Sequence, residues 1–156
     1  MITQLQNIEP IRPLFEQYMW HMKQYFEIED VGAWLERANT YLDLYQSEPE
    51  RKAYAIAADD EVFGFALVNR FFRFNTSGNA VAEFYISQGH QDKGYGGELA
   101  KHVFNQQPGP WEVCVTSGNI DGYEFWNKII ASYTGEKYQI NDHASYDGKG
   151  FTFGAY

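Results

Sequence analysis

Gln91-Asp92-Lys93-Gly94-Tyr95-Gly96-Gly97 lies between an apolar run, Ala80 to Ser87, and a stretch of helical period from Gly94 to about Gln106 on which Leu99, Val103 and Phe104 are apolar. The chain has to turn sharply there from strand into helix. Glycines admit unusual dihedrals and let a ligand approach the backbone closely, and a helix start presents unpaired N–H groups at the positive end of its dipole. Such a turn is an anion site suited to a pyrophosphate.

Spacing separates the glycine motifs that compete for this stretch. Gly89 and Gly94 have the separation of the two glycines of a Walker A loop, but Tyr95 and Gly96 stand where lysine and serine or threonine are required, which excludes it. A dinucleotide fingerprint needs a third glycine where Leu99 stands, and it needs to follow the first strand of a βαβ unit, whereas helices and a hairpin come first. The other reading open at this point is a purely structural strand-to-helix turn.

Working outward, Ile8, Ile11, Leu14, Phe15, Tyr18 and Met22 recur at helical spacing, with Pro10 and Pro13 near the start, where helices tolerate proline. A second helix carries Trp34, Leu35, Ala38, Tyr41, Leu42 and Tyr45 and ends near Ser47, Glu48 and Pro49. Ala53–Ala58, a polar turn at Asp59, Asp60 and Glu61, and Val62–Phe74 read as a β-hairpin. A turn cluster from Asn75 to Asn79 precedes the strand Ala80–Ser87.

Beyond the glycine turn, Pro108, Gly109 and Pro110 stop the helix, Trp111–Thr116 reads as a strand, and a helix from Asn119 carries Phe125, Trp126, Ile129 and Ile130. The tail from Tyr133 to Tyr156 reads as two strands around a turn at Asp147 and Gly148, and Ile2–Leu5 as a short strand. The strand-helix-strand piece from Ala80 to Thr116 implies a parallel pair with a right-handed crossover. The expected fold is an α+β domain over residues 1–156, a mixed, mostly antiparallel sheet flanked by helices.

Gln91, Gly94 and Gly96 match the pattern [QR]xxGx[GA], and with it the chain resembles the GNAT superfamily of acyltransferases. The order of elements is similar over nearly the whole chain. Ala82-Glu83-Phe84-Tyr85-Ile86 before the turn, and Trp111-Glu112-Val113 followed by Asn119, Phe125, Trp126, Ile129 and Ile130, look like a bacterial subgroup of predicted acetyltransferases. The resemblance implies a central parallel pair that splays, acetyl-CoA as co-substrate, and transfer of its acetyl group to a primary amine by direct attack.

It also implies roles. The backbone of Gln91, Asp92, Lys93, Gly94, Tyr95 and Gly96 would cradle the pyrophosphate, with the Lys93 side chain either meeting a phosphate or simply solvated. Phe84, Ile86 and Ser87 would pair with the pantetheine arm, and a backbone amide there would polarise the thioester carbonyl. Glu83, an acid within an otherwise apolar strand, is the candidate general base, with a raised pKa expected; the alternative is a carboxylate on the outer face. Many family members carry a tyrosine acid on the helix after the fifth strand, but the comparable position here is Trp126, and indole is no practical acid. Tyr123, three residues earlier on the same helical face, is either the substitute or just a packed aromatic. Asn119 would contact the pantetheine amides or cap its helix.

Composition narrows the class. The chain has 156 residues, 44% hydrophobic and 18% aromatic, which is enough for a core without staples. Cys114 is the only cysteine, so an intrachain disulfide and a Cys-rich zinc site are excluded; it reads as a buried strand residue, and the chain as cytoplasmic. Twelve basic against twenty-one acidic residues give a formal charge of −9, which disfavours nucleic acid and suits a cationic amine or plain solubility. No stretch approaches a membrane span or signal peptide. His21, His90, His102 and His143 show no ligand spacing, so no metal is expected.

Trp20, Tyr25, Phe26, Trp34 and Tyr41 line an acceptor pocket or pack in the core. The expected partner is a small-molecule or peptide amine, with neither nucleic acid nor membrane, and a homodimer is left open. Two other readings stand beside an enzyme: a CoA-binding module without catalysis, and an aromatic-rich interaction domain.

Overall fold

Glu9–Ile11 forms a single 3-10 turn that runs into α1 (Arg12–Met22), with Pro13 inside its first turn, where no backbone donor is lost. The computed structural model describes residues 1–143 and 145–154. After a second 3-10 turn at Lys23–Tyr25 comes α2 (Val31–Ser47), whose N-cap Asp30 accepts a 3.0 Å hydrogen bond from the Ala33 amide. The short β1 (Ile2–Gln4) precedes these helices, and β2 (Lys52–Ala58), β3 (Glu61–Asn69) and β4 (Asn79–Ile86) follow them. Then come α3 (Tyr95–Gln106), β5 (Trp111–Thr116), α4 (Ile120–Thr134), β6 (Tyr138–His143) and β7 (Tyr146–Phe153).

Among the described residues, seven strands form one sheet in the order β1-β2-β3-β4-β5-β7-β6. Every neighbouring pair is antiparallel except β4 and β5, which run parallel with α3 as their crossover. The fold is therefore the mixed, mostly antiparallel sheet with a central parallel pair that the element order implies.

Each face of the sheet is covered. On one side α1 and α2 pack Leu14, Phe15 and Leu42 onto Ala55, Phe65 and Leu67; on the other α3 and α4 pack Leu99, Phe104, Trp126 and Ile130 onto Tyr54, Val68 and Phe151. Strands buried on both faces lose polar alternation and read as continuous apolar runs, which is how β2 and β3 look in the sequence. No described helix is long and apolar enough to cross a membrane.

Three boundaries differ from expectation. β3 ends at Asn69, not Phe74, because the buried carboxylate of Glu112 on β5 draws the chain away from the sheet: it accepts hydrogen bonds from the amides of Arg73 (2.8 Å), Phe74 (2.9 Å) and Asn75 (2.7 Å). Asp147 and Gly148 lie inside β7, and the last hairpin turns between His143 and Tyr146. Tyr133 belongs to α4, which ends against Gly135. The two C-terminal residues of the expected last strand, 155 and 156, fall outside the described residues.

Candidate functional site

β4 and β5 pair only at Asn79–Trp111, Ala80–Glu112 and Val81–Val113. Past that point β4 stays with β3 as far as Ile86–Gly64, and β5 stays with β7 as far as Thr116–Gly148. The two strands therefore splay into a wedge, leaving the β5-facing edge of β4 unpaired from Ala82 on. A cleft of about 500 Å³ occupies the wedge, lined from β4 and β5 by Glu83, Phe84 and Cys114, and from the helical flanks by Tyr18, Phe26 and Trp126. That volume lies within the usual range of small-molecule sites.

A bulge brings Glu83 into this cleft. Leu67 pairs with Glu83 and Val68 with Val81, so Ala82 has no partner on β3. Val81 points into the α3/α4 core, and regular alternation would send Glu83 the same way. The extra residue re-aims it instead toward α1, where the Tyr18 hydroxyl donates to Glu83 Oε2 at 2.7 Å. The carboxyl keeps a partial opening to the cleft but is ringed by protein. Burial raises its pKa from the ordinary 4.5 to about 7, and the Tyr18 bond, which favours the charged form, opposes that rise.

The phenols around it are raised too. Tyr18, Tyr41 and Tyr45 are pushed up chiefly by burial, with the Glu83 charge adding to each. Tyr41 and Tyr45 share a 2.6 Å hydrogen bond, and Asn69 donates to Tyr45 at 3.0 Å. Of these four groups only Glu83 has its pKa brought near neutrality. Cys114 is partly exposed to the cleft, contrary to the buried position expected, and burial with the nearby Glu112 pushes its thiol up to about 12. It is a poor nucleophile at neutral pH.

At the mouth of the wedge the glycine turn is built by side chains that are themselves occupied. Gln91 Nε2 donates to the Ile86 carbonyl at 2.8 Å, tying the turn to the end of β4. Ser87 and His90 are hydrogen-bonded at 2.8 Å, and the His90 ring stacks on Phe63 with centroids 4.2 Å apart. Gly94 takes φ 87° as N-cap of α3, with no side-chain cap on the helix and no atom within 4 Å of where a Cβ would be. The space beside Gly94 is open and the first turn of α3 has no side-chain cap, an arrangement that fits an anion.

Gly96 serves another purpose. A Cβ there would stand 2.8 Å from Phe125 Cε1, and one on Gly97 would stand 2.9 Å from Ile129 Cδ1. These two glycines let α3 lie close against α4.

Of the remaining expected residues, Phe84 and Trp126 face each other across the wedge with ring centroids 4.8 Å apart. Asn119 lines the cleft while its side chain caps α4 by accepting from Gly122 N at 3.0 Å. Ile86 is buried on the α3/α4 side, and Asp92 and Lys93 are exposed in the turn. Tyr95 packs on Phe63 with centroids 4.7 Å apart. Tyr123 packs on Phe151 at 5.4 Å and does not line the cleft. Phe26 and Trp34 line it, whereas Trp20 is half exposed outside and Tyr41 lies in the phenol network. Among the described residues no three His, Cys, Asp or Glu side chains are grouped to hold a metal.

Sequence reasoning missed Tyr18, Arg73, Glu112 and Tyr146 as parts of the site. Tyr18 carried only a core-helix signal, and Glu112 the one visible anomaly, an acid inside an apolar strand.

A protein-family model of the acetyltransferase (GNAT) family matches residues 14–129. Among solved structures, the chain is similar to the PaiA N-acetyltransferase of Thermoplasma acidophilum in complex with coenzyme A, at 15% identity and TM-score 0.66, covering 97% of this chain and 98% of that one. An acetyltransferase from Thermus thermophilus is similar at 13% identity and TM-score 0.68, covering 98% and 96%. An aminoglycoside 6'-acetyltransferase type Ii is similar at 14% identity and TM-score 0.63, covering 99% and 96%. No curated protein matches at a significant level. With a family model matching residues 14–129 and a fold similar to that of these acetyltransferases, the chain belongs to the GNAT acetyltransferase family.

Proposed function

We propose that this family member is an N-acetyltransferase that moves the acetyl group of acetyl-CoA directly to a primary amine, with Glu83 as general base. The observation that supports it is the bulge-directed placement of a carboxyl with pKa about 7 at the wedge between β4 and β5. A base is most effective when it titrates near the working pH.

An amine reaches the cleft as ammonium and must shed a proton before its lone pair can attack. Glu83 takes that proton, directly or through one water. Nitrogen bonds to the acetyl carbon and gives up its second proton to solvent, the carbon–sulfur bond breaks, and its electron pair leaves on sulfur. A thiol titrates near ~8.5, so the departing thiolate needs little help from a side-chain acid, and solvent supplies its proton. On this account neither Trp126 nor the packed Tyr123 has to act as an acid.

The donor's place follows from the groups left unsatisfied. The uncapped first turn of α3 after Gly94 suits the pyrophosphate, with exposed Lys93 beside it. The unpaired edge of β4 around Phe84 suits the amide-bearing arm, with Trp126 and Asn119 on the other wall. The PaiA enzyme, of the same fold, binds coenzyme A.

An amine panel with acetyl-CoA, followed by thiol release, tests the reading. Turnover that is lost in Glu83→Gln supports it. A CoA-induced rise in Tm with no turnover on any amine favours a CoA-binding module without catalysis, the second reading, which rests on Trp126 standing where similar enzymes carry a tyrosine.

A further inference from the structure

Among the described residues that line the cleft, Arg73 is the one cationic side chain. Arg73 lies on the segment between β3 and β4 and lines the cleft together with Glu83, the proposed base. Its backbone is pinned, because its amide and those of the next two residues donate to Glu112. Its guanidinium lies over the Tyr146 ring, 4.3 Å from the centroid, and that tyrosine also lines the cleft. Burial raises the pKa values of both Cys114 and Tyr146, and the Arg73 charge is a lesser contribution that opposes each rise.

Among the described residues Arg73 makes no ion pair. Glu112, the carboxylate nearest in its own anchoring, spends its oxygens on backbone N–H groups, and Glu83 is engaged by Tyr18. A guanidinium set over an aromatic ring at the cleft, itself exposed, offers a fork of donors that matches a carboxylate or phosphoryl group. The lining also carries apolar Phe26, Trp34, Phe71, Met19 and Met22, beside polar Asn69, Thr116 and Asn119. Phe71 is 67% exposed, with the Arg51 guanidinium 4.7 Å from its ring centroid. The cleft totals about 500 Å³, part of which the donor's arm takes, so the acceptor is small.

We propose that the acceptor is a small amine with an apolar body and an anionic group, of the chemical class of an apolar α-amino acid, and that Arg73 binds the anion while the amine faces Glu83. The assignment rests on the acetyl-transfer reading for the amine's position, but the anion site is testable without turnover.

Calorimetry on the CoA-saturated protein compares matched sets that share one body: 2-phenylethylamine, phenylalanine and 1-amino-2-phenylethylphosphonic acid, then isoamylamine with leucine, and tryptamine with tryptophan. The expected result is ~10–100-fold tighter binding of an acid-bearing member than of its plain amine, the range for one charge-assisted contact. That ratio should collapse toward one in Arg73→Gln and recover partly in Arg73→Lys. The phenyl set tells carboxylate from phosphoryl preference. Equal or weaker binding of the acids in every set overturns the proposal, as does a preference that survives in Arg73→Gln. Discrimination by Arg73 without thiol release would sink the transfer reading and leave this one standing; thiol release without discrimination would do the reverse.

Discussion

Tyr18 on α1 and Glu83 on β4 are joined by a 2.7 Å hydrogen bond in which the phenol donates and the carboxyl accepts. The bond ties the α1 flank to the wedge and sets the protonation of the proposed base. Because it favours the carboxylate, it holds the Glu83 pKa below the value burial alone would give. Tyr18→Phe should therefore move the rising limb of the pH–rate profile above about pH 7. The rate should fall several-fold at pH 7 and return toward wild type near pH 9; an unmoved limb would show that Glu83 is not the titrating base.

Glu83→Gln keeps the shape and can still accept from Tyr18, but it takes no proton from an amine. Acetyl transfer at pH 7 should drop ~10²–10⁴-fold, with CoA affinity nearly unchanged. The defect should shrink as pH rises toward the acceptor's own pKa, where free amine no longer needs a base. Steady-state kinetics from pH 6 to pH 10 check this, and a defect equal at every pH would point to a structural role.

Stability gives an independent reading of the same group. The folded-state pKa of Glu83 lies above its unfolded value, so between 4.5 and about 7 the folded state binds more protons and stability falls as pH rises. Below that window the group contributes nothing, and above it the loss is complete at about 3 kcal/mol. Glu83→Gln, neutral throughout, should match wild type near pH 4 and exceed it at pH 8 by ~1–3 kcal/mol in urea unfolding. A variant less stable than wild type at pH 8 would contradict the raised pKa.

Gly94 and Gly96 should separate by mechanism. Gly94→Ala meets no atom and carries only left-handed backbone strain, ~1 kcal/mol. Gly96→Ala drives a methyl against Phe125, an overpacking cost of ~1–3 kcal/mol. Phe125→Leu in the same chain should recover much of the second loss and none of the first. Equal behaviour of both glycines toward Phe125→Leu would rule out close helix packing as the reason for Gly96.

Glu112→Gln should loosen the segment from Arg73 to Asn75, which hangs on three hydrogen bonds to that carboxylate. Replacing a charged acceptor by a neutral one should cost ~2 kcal/mol, or roughly 4–8 °C in Tm for a chain of this size. Differential scanning calorimetry reads the shift. Hydrogen exchange should show faster exchange of those three amides, and their unchanged protection would refute the role given to Glu112.

The fold was legible because its decisive features are local. The glycine turn sits between a strand run and a helical run, and each helix announces its apolar face within a few turns. What escaped was set at long range. The aromatic run Phe71, Phe72, Phe74 extends β3 on paper, but the carboxylate that pulls it off the sheet lies 37 to 39 positions away. Gly148 reads as a turn residue, yet a Cβ there would meet the Val115 carbonyl at 2.1 Å, so it is a close approach between strands. A glycine alone does not say which of the two it is. For the site, Glu83 was visible as an acid in an apolar strand. Tyr18 was hidden because it packs with Phe15 and Phe65 like any core aromatic while its hydroxyl does something else.

Ala82 has no register partner on either side: β3 skips it, and the ladder to β5 stops one residue before it. Deleting it would leave Val81 toward α3 and Glu83 toward α1, since adjacent residues alternate anyway, so every side chain would keep its side of the sheet. What would go is the bend. The shortened strand would be free to run on beside β5, adding ladder where the wedge now opens. The cleft thus depends on a count rather than on chemistry: one alanine too many in an eight-residue strand makes the room in which a carboxylate can work.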